Sequence, residues 1–155
     1  MEQPFNDEHF MRIALAEAQQ AFEQDEVPVG AIIVARNQVI ARGHNLCERL
    51  NDFTAHAEMQ AFTAASEYLG GKHLDQCTLY VTLEPCPMCA GAAFWTRIGR
   101  IVYGASDDKR GFKCWGAGPS KQLVHPKTSV SSGVLQEECK SLIQSFFASK
   151  REKLR

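Results

Sequence analysis

His56, Glu58, Cys86 and Cys89 are the side chains of this 155-residue chain whose types and spacing could do chemistry together. They stand in Thr54-Ala55-His56-Ala57-Glu58 and in Glu84-Pro85-Cys86-Pro87-Met88-Cys89. One imidazole and two thiolates are the donors that a borderline-soft divalent ion such as zinc selects. Three protein ligands with a carboxylate alongside describe an open catalytic site, whose fourth position takes water. Glu58 lies two residues past His56, so it does not share a helical face with it as an i, i+4 ligand pair would. It can instead sit beside the water, take its proton and return it to a departing amine. Such an arrangement replaces an exocyclic amino group by oxygen. The competing reading is a closed structural site with a fourth ligand from His44, Cys47, His73 or Cys77. Cys77 is too far back along its strand to reach; spacing alone leaves His44 and Cys47 open.

The elements that must bring these groups together can be read from periodicity. Residues 7–24 form an amphipathic helix, capped by Asn6 or Asp7, with Phe10, Ala14, Ala18 and Phe22 at helical spacing. Pro28 and Gly30 mark a turn. Ala31 to Val34 and Val39 to Ala41 flank Arg36-Asn37-Gln38, which predicts a hairpin with both strands substantially buried. A helix from about Thr54 to Tyr68 follows, stopped by Gly70-Gly71. Thr78 to Leu83 is a third strand, and Pro87 suits the first turn of a helix that runs to about Trp95. Ile101 to Tyr103 is a fourth strand. Residues 105–127, polar and rich in glycine and lysine, carry no regular pattern; Val130 and Val134 suggest a fifth strand, and Leu135 to Lys153 a last helix. This order predicts an α/β fold with a mixed sheet of about five strands and helices on both faces. Cys86 and Cys89 fall one helical turn apart at a helix start, where free amides and the dipole favour thiolate. His56 opens the other helix, and two helix starts above one sheet edge converge.

Composition narrows the setting. A hydrophobic share of 45% and a charged share of 23% fit one globular domain over residues 1–155. No apolar run approaches the roughly 20 residues that span a bilayer. The acidic start lacks an apolar signal core, so the expected location is the cytoplasm, with the six cysteines reduced. Net charge is −1 but lopsided: residues 1–95 carry 13 acidic and 5 basic side chains, residues 96–155 carry 5 and 12. A basic half of this kind is either a solvated tail or a face made for a polyanion.

His-x-Glu followed by Pro-Cys-x-x-Cys is the signature of zinc-dependent nucleobase deaminases. The chain resembles the cytidine-deaminase superfamily, and within it the bacterial tRNA adenosine deaminases. Further landmarks are Pro28-Val29-Gly30-Ala31, His44-Asn45, Arg97-Ile98-Gly99-Arg100, Gly104-Ala105 with Asp107 and Lys109, and Phe146-Phe147 before a basic end. The resemblance implies a three-layer α-β-α fold and a hydrolase acting on an amidine C–N bond. It implies adenosine-to-inosine conversion at the wobble position of a tRNA anticodon loop, typically that of arginine. It also implies one zinc ion per chain on His56, Cys86 and Cys89, with Glu58 as the catalytic proton shuttle. Asn45, Val29 and Ala57 would contact the target nucleotide, Asp107 and Lys109 would lie near RNA, and Lys150, Arg151, Lys153 and Arg155 would hold phosphates. The assembly implied is a homodimer. The alternative is a deaminase of a free base or nucleoside such as guanine, cytosine or cytidine, since Glu84 to Cys89 occurs in guanine deaminases too. Two departures stand out: Phe53 replaces a common proline, and Gly111 to Gly118 replaces a small-residue stretch. Phe112 and Trp115 of that stretch would either stack on flanking bases or pack the loop down.

Overall fold

The computed structural model describes residues 5–115 and 123–154, apart from the side chain of Trp115. Asn6 caps the first helix, α1 (Asp7–Glu23), by accepting a hydrogen bond from the His9 amide at 2.9 Å. Strands β1 (Gly30–Ala35) and β2 (Gln38–His44) are joined by Arg36 and Asn37. Both of these residues have positive φ, 50° and 63°, the geometry of a tight primed hairpin turn. Then come α2 (Ala57–Leu69), β3 (Cys77–Leu83), α3 (Pro87–Thr96) and β4 (Arg100–Ala105). A single helical turn α4 (Phe112–Trp115), a short β5 (Ser129–Ser132) and α5 (Gln136–Lys153) complete the described chain.

The five strands form one mixed sheet in the order β2-β1-β3-β4-β5. β1 runs antiparallel to β2 and β3, while β3, β4 and β5 are parallel. Strand residues alternate between two cores. Ile33, Leu79, Val81, Ile101 and Tyr103 pack against Ala57, Ala61 and Phe62 of α2 and Ala90 and Ala93 of α3. Ile32, Val34, Tyr80 and Val102 pack against Phe10, Met11 and Ala14 of α1 and Cys139 of α5. The predicted three layers are therefore present.

Several expectations need correction. β1 is almost wholly buried, but β2, the edge strand, is mostly half-buried, with Gln38 and Arg42 exposed. The fifth strand is Ser129–Ser132 and excludes Val134, which packs instead into the core shared with α1 and α5. α2 begins only after His56, and α5 only after Leu135, whose φ of 53° breaks the chain direction first. Residues 105–127 are not all irregular, since they include the α4 turn.

Two glycines set how closely the helices sit on the sheet. A Cβ on Gly43 would lie 2.6 Å from the Ala57 carbonyl oxygen, so the first turn of α2 rests directly on β2. A Cβ on Gly30 would lie 2.0 Å from the Ala14 carbonyl oxygen of α1. Close approach of backbone to backbone needs glycine at both places.

Candidate active site

His56 is the N-cap of α2 and Cys86 the N-cap of α3, so the two helix starts converge on one point. Pro87 occupies the first turn of α3 with its fixed φ and no amide to satisfy. It leaves Cys89 one turn along, facing back toward Cys86. Nδ1 of His56 lies 3.5 Å from Sγ of Cys86 and 3.5 Å from Sγ of Cys89. Tetrahedral zinc, with bonds of about 2.3 Å to sulfur and 2.0–2.1 Å to nitrogen, requires a nitrogen–sulfur edge of about 3.6 Å. The donor set fits. Among the described residues, this is the one group of three or more His, Cys, Asp or Glu ligand atoms within 4.8 Å of one another.

The proposed fourth ligands are accounted for elsewhere. The two ring nitrogens of His44 face Glu17 and Gln24, each at 3.1 Å. The Cys47 thiol donates to Oδ1 of Asn45 at 2.9 Å. Cys77 is buried at the start of β3, and His73 lines a separate cavity beyond the other end of the sheet. Three ligands, not four, are assembled.

Electrostatics around the group are shared. A hydrogen bond from Cys89, followed by one from His56, pulls the Cys86 thiol down to about 4 against the cost of burial. Cys89 is pushed up by its hydrogen bond to Cys86, by burial and by Glu58. A divalent ion on these donors favours thiolate at both sulfurs. His56 is held up by its hydrogen bond to Cys86. Glu58, in the first turn of α2, is 4% exposed, and burial pushes its carboxyl up.

The group opens into a cavity of about 1610 Å³. Asn45, Val29 and Ala57 line it, as do Asp107 and Lys109. The amide of Asn45 donates to the carbonyl of Val29 at 3.2 Å, which ties the end of β2 to the entry of β1. Lys150 also reaches the cavity, but its ammonium is paired with Asp25 at 2.6 Å. Arg151 and Lys153 are exposed and lie outside the lining; Arg155 lies outside the described residues. Asp107 accepts from the amides of Lys109 and Arg110, so its carboxylate shapes its own loop. Phe112 is buried against Tyr103 with ring centres 6.3 Å apart; it packs the loop down and cannot stack on a base.

Two carboxylates that shape this site carry no ligand signal in the sequence. Glu26, 1% exposed, accepts from the amides of Glu48 and Arg49, both at 2.8 Å, and clamps the loop after Asn45. Glu84, 5% exposed, accepts from the amides of Asp107 and Lys113, both at 3.1 Å, and clamps the opposite wall. Phe146 and Phe147 complete the wall from α5.

The family model described as MafB19-like deaminase matches residues 5–151. A tRNA-specific adenosine deaminase of Bacillus subtilis is 44% identical, covering 95% of this chain and 92% of its own. The chain belongs to the deaminase family. A solved structure from work on A-to-I editing by tRNA:A34 deaminases superposes with a TM-score of 0.79 at 44% identity, covering 86% of this chain and 98% of that one. A guanine deaminase from Nitrosomonas europaea superposes with a TM-score of 0.81 at 25% identity, covering 95% and 87%. This deaminase thus shares its fold with enzymes of two substrate classes, and its sequence stands closer to the tRNA enzymes. No helix among the described residues is long and apolar enough to cross a membrane.

Proposed function

We propose that this chain is a zinc-dependent hydrolytic deaminase, one domain over residues 1–155, that converts adenosine to inosine at the wobble position of a tRNA. The observation that carries it is a His56 nitrogen 3.5 Å from both Cys86 and Cys89 sulfurs, a zinc-like spacing, beside a buried Glu58. The preference for an anticodon loop over a free base such as guanine is supported by the 44% identity to a tRNA-specific adenosine deaminase over 95% of this chain. Loop bases are already unpaired, so placing one in the pocket costs little.

His56, Cys86 and Cys89 would hold zinc, which supplies Lewis acidity and brings a coordinated water towards neutral pKa. Glu58 takes the proton of the attacking water and delivers it to the leaving amine. Its burial pushes the carboxyl up from the usual carboxylate range, the direction a group that must also act as an acid needs. Asn45, with Val29 and the backbone of Ala57, positions the base, Lys109 meets a phosphate beside Asp107, and Arg151 and Lys153 meet phosphates beyond the Lys150–Asp25 pair. Arginine tRNA is the expected substrate and the cytoplasm the expected setting. The working unit is a homodimer, a reading supported by Trp95 and Tyr68, 79% and 66% exposed on the helices of one face. Incubation with total bacterial tRNA, guanine, cytosine and adenosine separates the readings: inosine in tRNA with ammonia release is expected, and ammonia from a free base alone overturns it.

A further inference from the structure

Asn45 is 8% exposed and lines the cavity, yet an asparagine amide can face a ligand in two ways. One presents a carbonyl acceptor, the other an NH₂ donor, and a base edge that suits one rejects the other. The structure resolves the choice through a neighbour the deaminase chemistry does not use. The Cys47 thiol donates to Oδ1 of Asn45 at 2.9 Å, with the carbonyl oxygen of Phe53 farther off at 3.7 Å. Among the described residues, Nδ2 of Asn45 has no hydrogen-bond partner.

We propose that Cys47 is a positioning residue whose thiol engages the Asn45 carbonyl oxygen and leaves the amide NH₂ as the group free to meet a ligand, selecting a base that offers a ring-nitrogen acceptor there. The proposal rests on the reading of Asn45 as a substrate contact. The opposite flip would set an N–H against a weakly accepting sulfur and leave the thiol proton without its nearest oxygen. Burial first, then Glu26 and Asp52, pushes the Cys47 thiol up, so it keeps its proton at neutral pH. The loop that carries it is held by the Glu26 clamp on Glu48 and Arg49, immediately beyond Cys47, so the thiol is presented from a fixed backbone.

The test is steady-state kinetics on a tRNA anticodon stem-loop with Cys47→Ala, Cys47→Ser, Asn45→Ala and the Cys47→Ala/Asn45→Ala pair. Loss of the thiol donor should raise KM about three- to tenfold while kcat changes little, the size of one neutral hydrogen bond. Cys47→Ser, which keeps a donor, should restore most of it. In the Asn45→Ala background Cys47→Ala should have no further effect, because nothing is left to orient. A KM effect of the same size in both backgrounds, or none in either, overturns the role of Cys47 and leaves that of Asn45 standing. An Asn45→Ala variant with unchanged KM overturns both.

Discussion

In the proposed reaction Glu58 acts as a base toward water and as an acid toward the departing amine within one turnover, and neither role tolerates an amide in its place. Glu58→Gln keeps the shape, so zinc content measured by atomic absorption should stay at one per chain. The rate of inosine formation should fall by about 10²- to 10⁴-fold, the usual worth of a positioned proton carrier. Turnover at the parent rate would remove Glu58 from the mechanism. The ligands behave differently. His56→Ala or Cys86→Ser takes one corner from a group whose nitrogen lies 3.5 Å from each sulfur, so metal and thermal stability should be lost together. The chelator-treated parent should show the same lowered midpoint in a thermal melt. A variant that still holds one tight zinc per chain would show that the ligand set is wrong.

At the scale of elements, the site depends on how α1 and the central strands are locked. Asp7 opens α1 and accepts from Arg100 of β4 at 2.8 and 2.9 Å and from the Tyr80 hydroxyl of β3 at 2.8 Å. The hydrogen-bonded Arg100 guanidinium holds the Asp7 carboxyl below its usual range. A carboxyl lowered on folding stabilises above its unfolded pKa, and the contribution fades as pH falls through the folded value. Both partners are about one-third exposed, so Asp7→Asn should cost only about 1 kcal/mol at pH 7. Denaturant melts of parent and variant should converge below about pH 4. A gap that persists undiminished in acid would assign the effect to something other than this charge.

The same elements show what a sequence can disclose. Gly70 and Pro87 act through local backbone preference, so the end of α2 and the start of α3 were legible. The convergence of His56, Cys86 and Cys89 was legible because each is tied to a helix start. The edge position of β2 was not legible, because the order of strands in the sheet depends on pairings distant in sequence. Glu26 and Glu84 were silent for a related reason: their partners are backbone amides 22 to 29 residues away, and any sequence supplies amides.

For the whole molecule, the lopsided charge acquires a geography. The acidic half supplies His56, Glu58, Cys86 and Cys89, while α5 lines the same cavity through Phe146, Phe147 and Lys150 and ends in further basic residues. Lys150 is already paired with Asp25 across that opening, so Arg151 and Lys153 are the cations of this helix end free to meet phosphates among the described residues. Each phosphate contact contributes about 0.7 to the slope of log affinity against log salt for single-stranded nucleic acid. Removing residues 149–155 should therefore weaken tRNA binding and flatten that slope by about one to two. Free nucleosides, which carry no phosphate chain, should bind the shortened protein as before. The Arg151→Gln/Lys153→Gln variant, with Phe146 and the Lys150–Asp25 pair intact, should reproduce most of the loss. If filter binding across a salt series gives the same affinity and slope for the shortened protein and the parent, the tail is a solvated end and the RNA is held elsewhere.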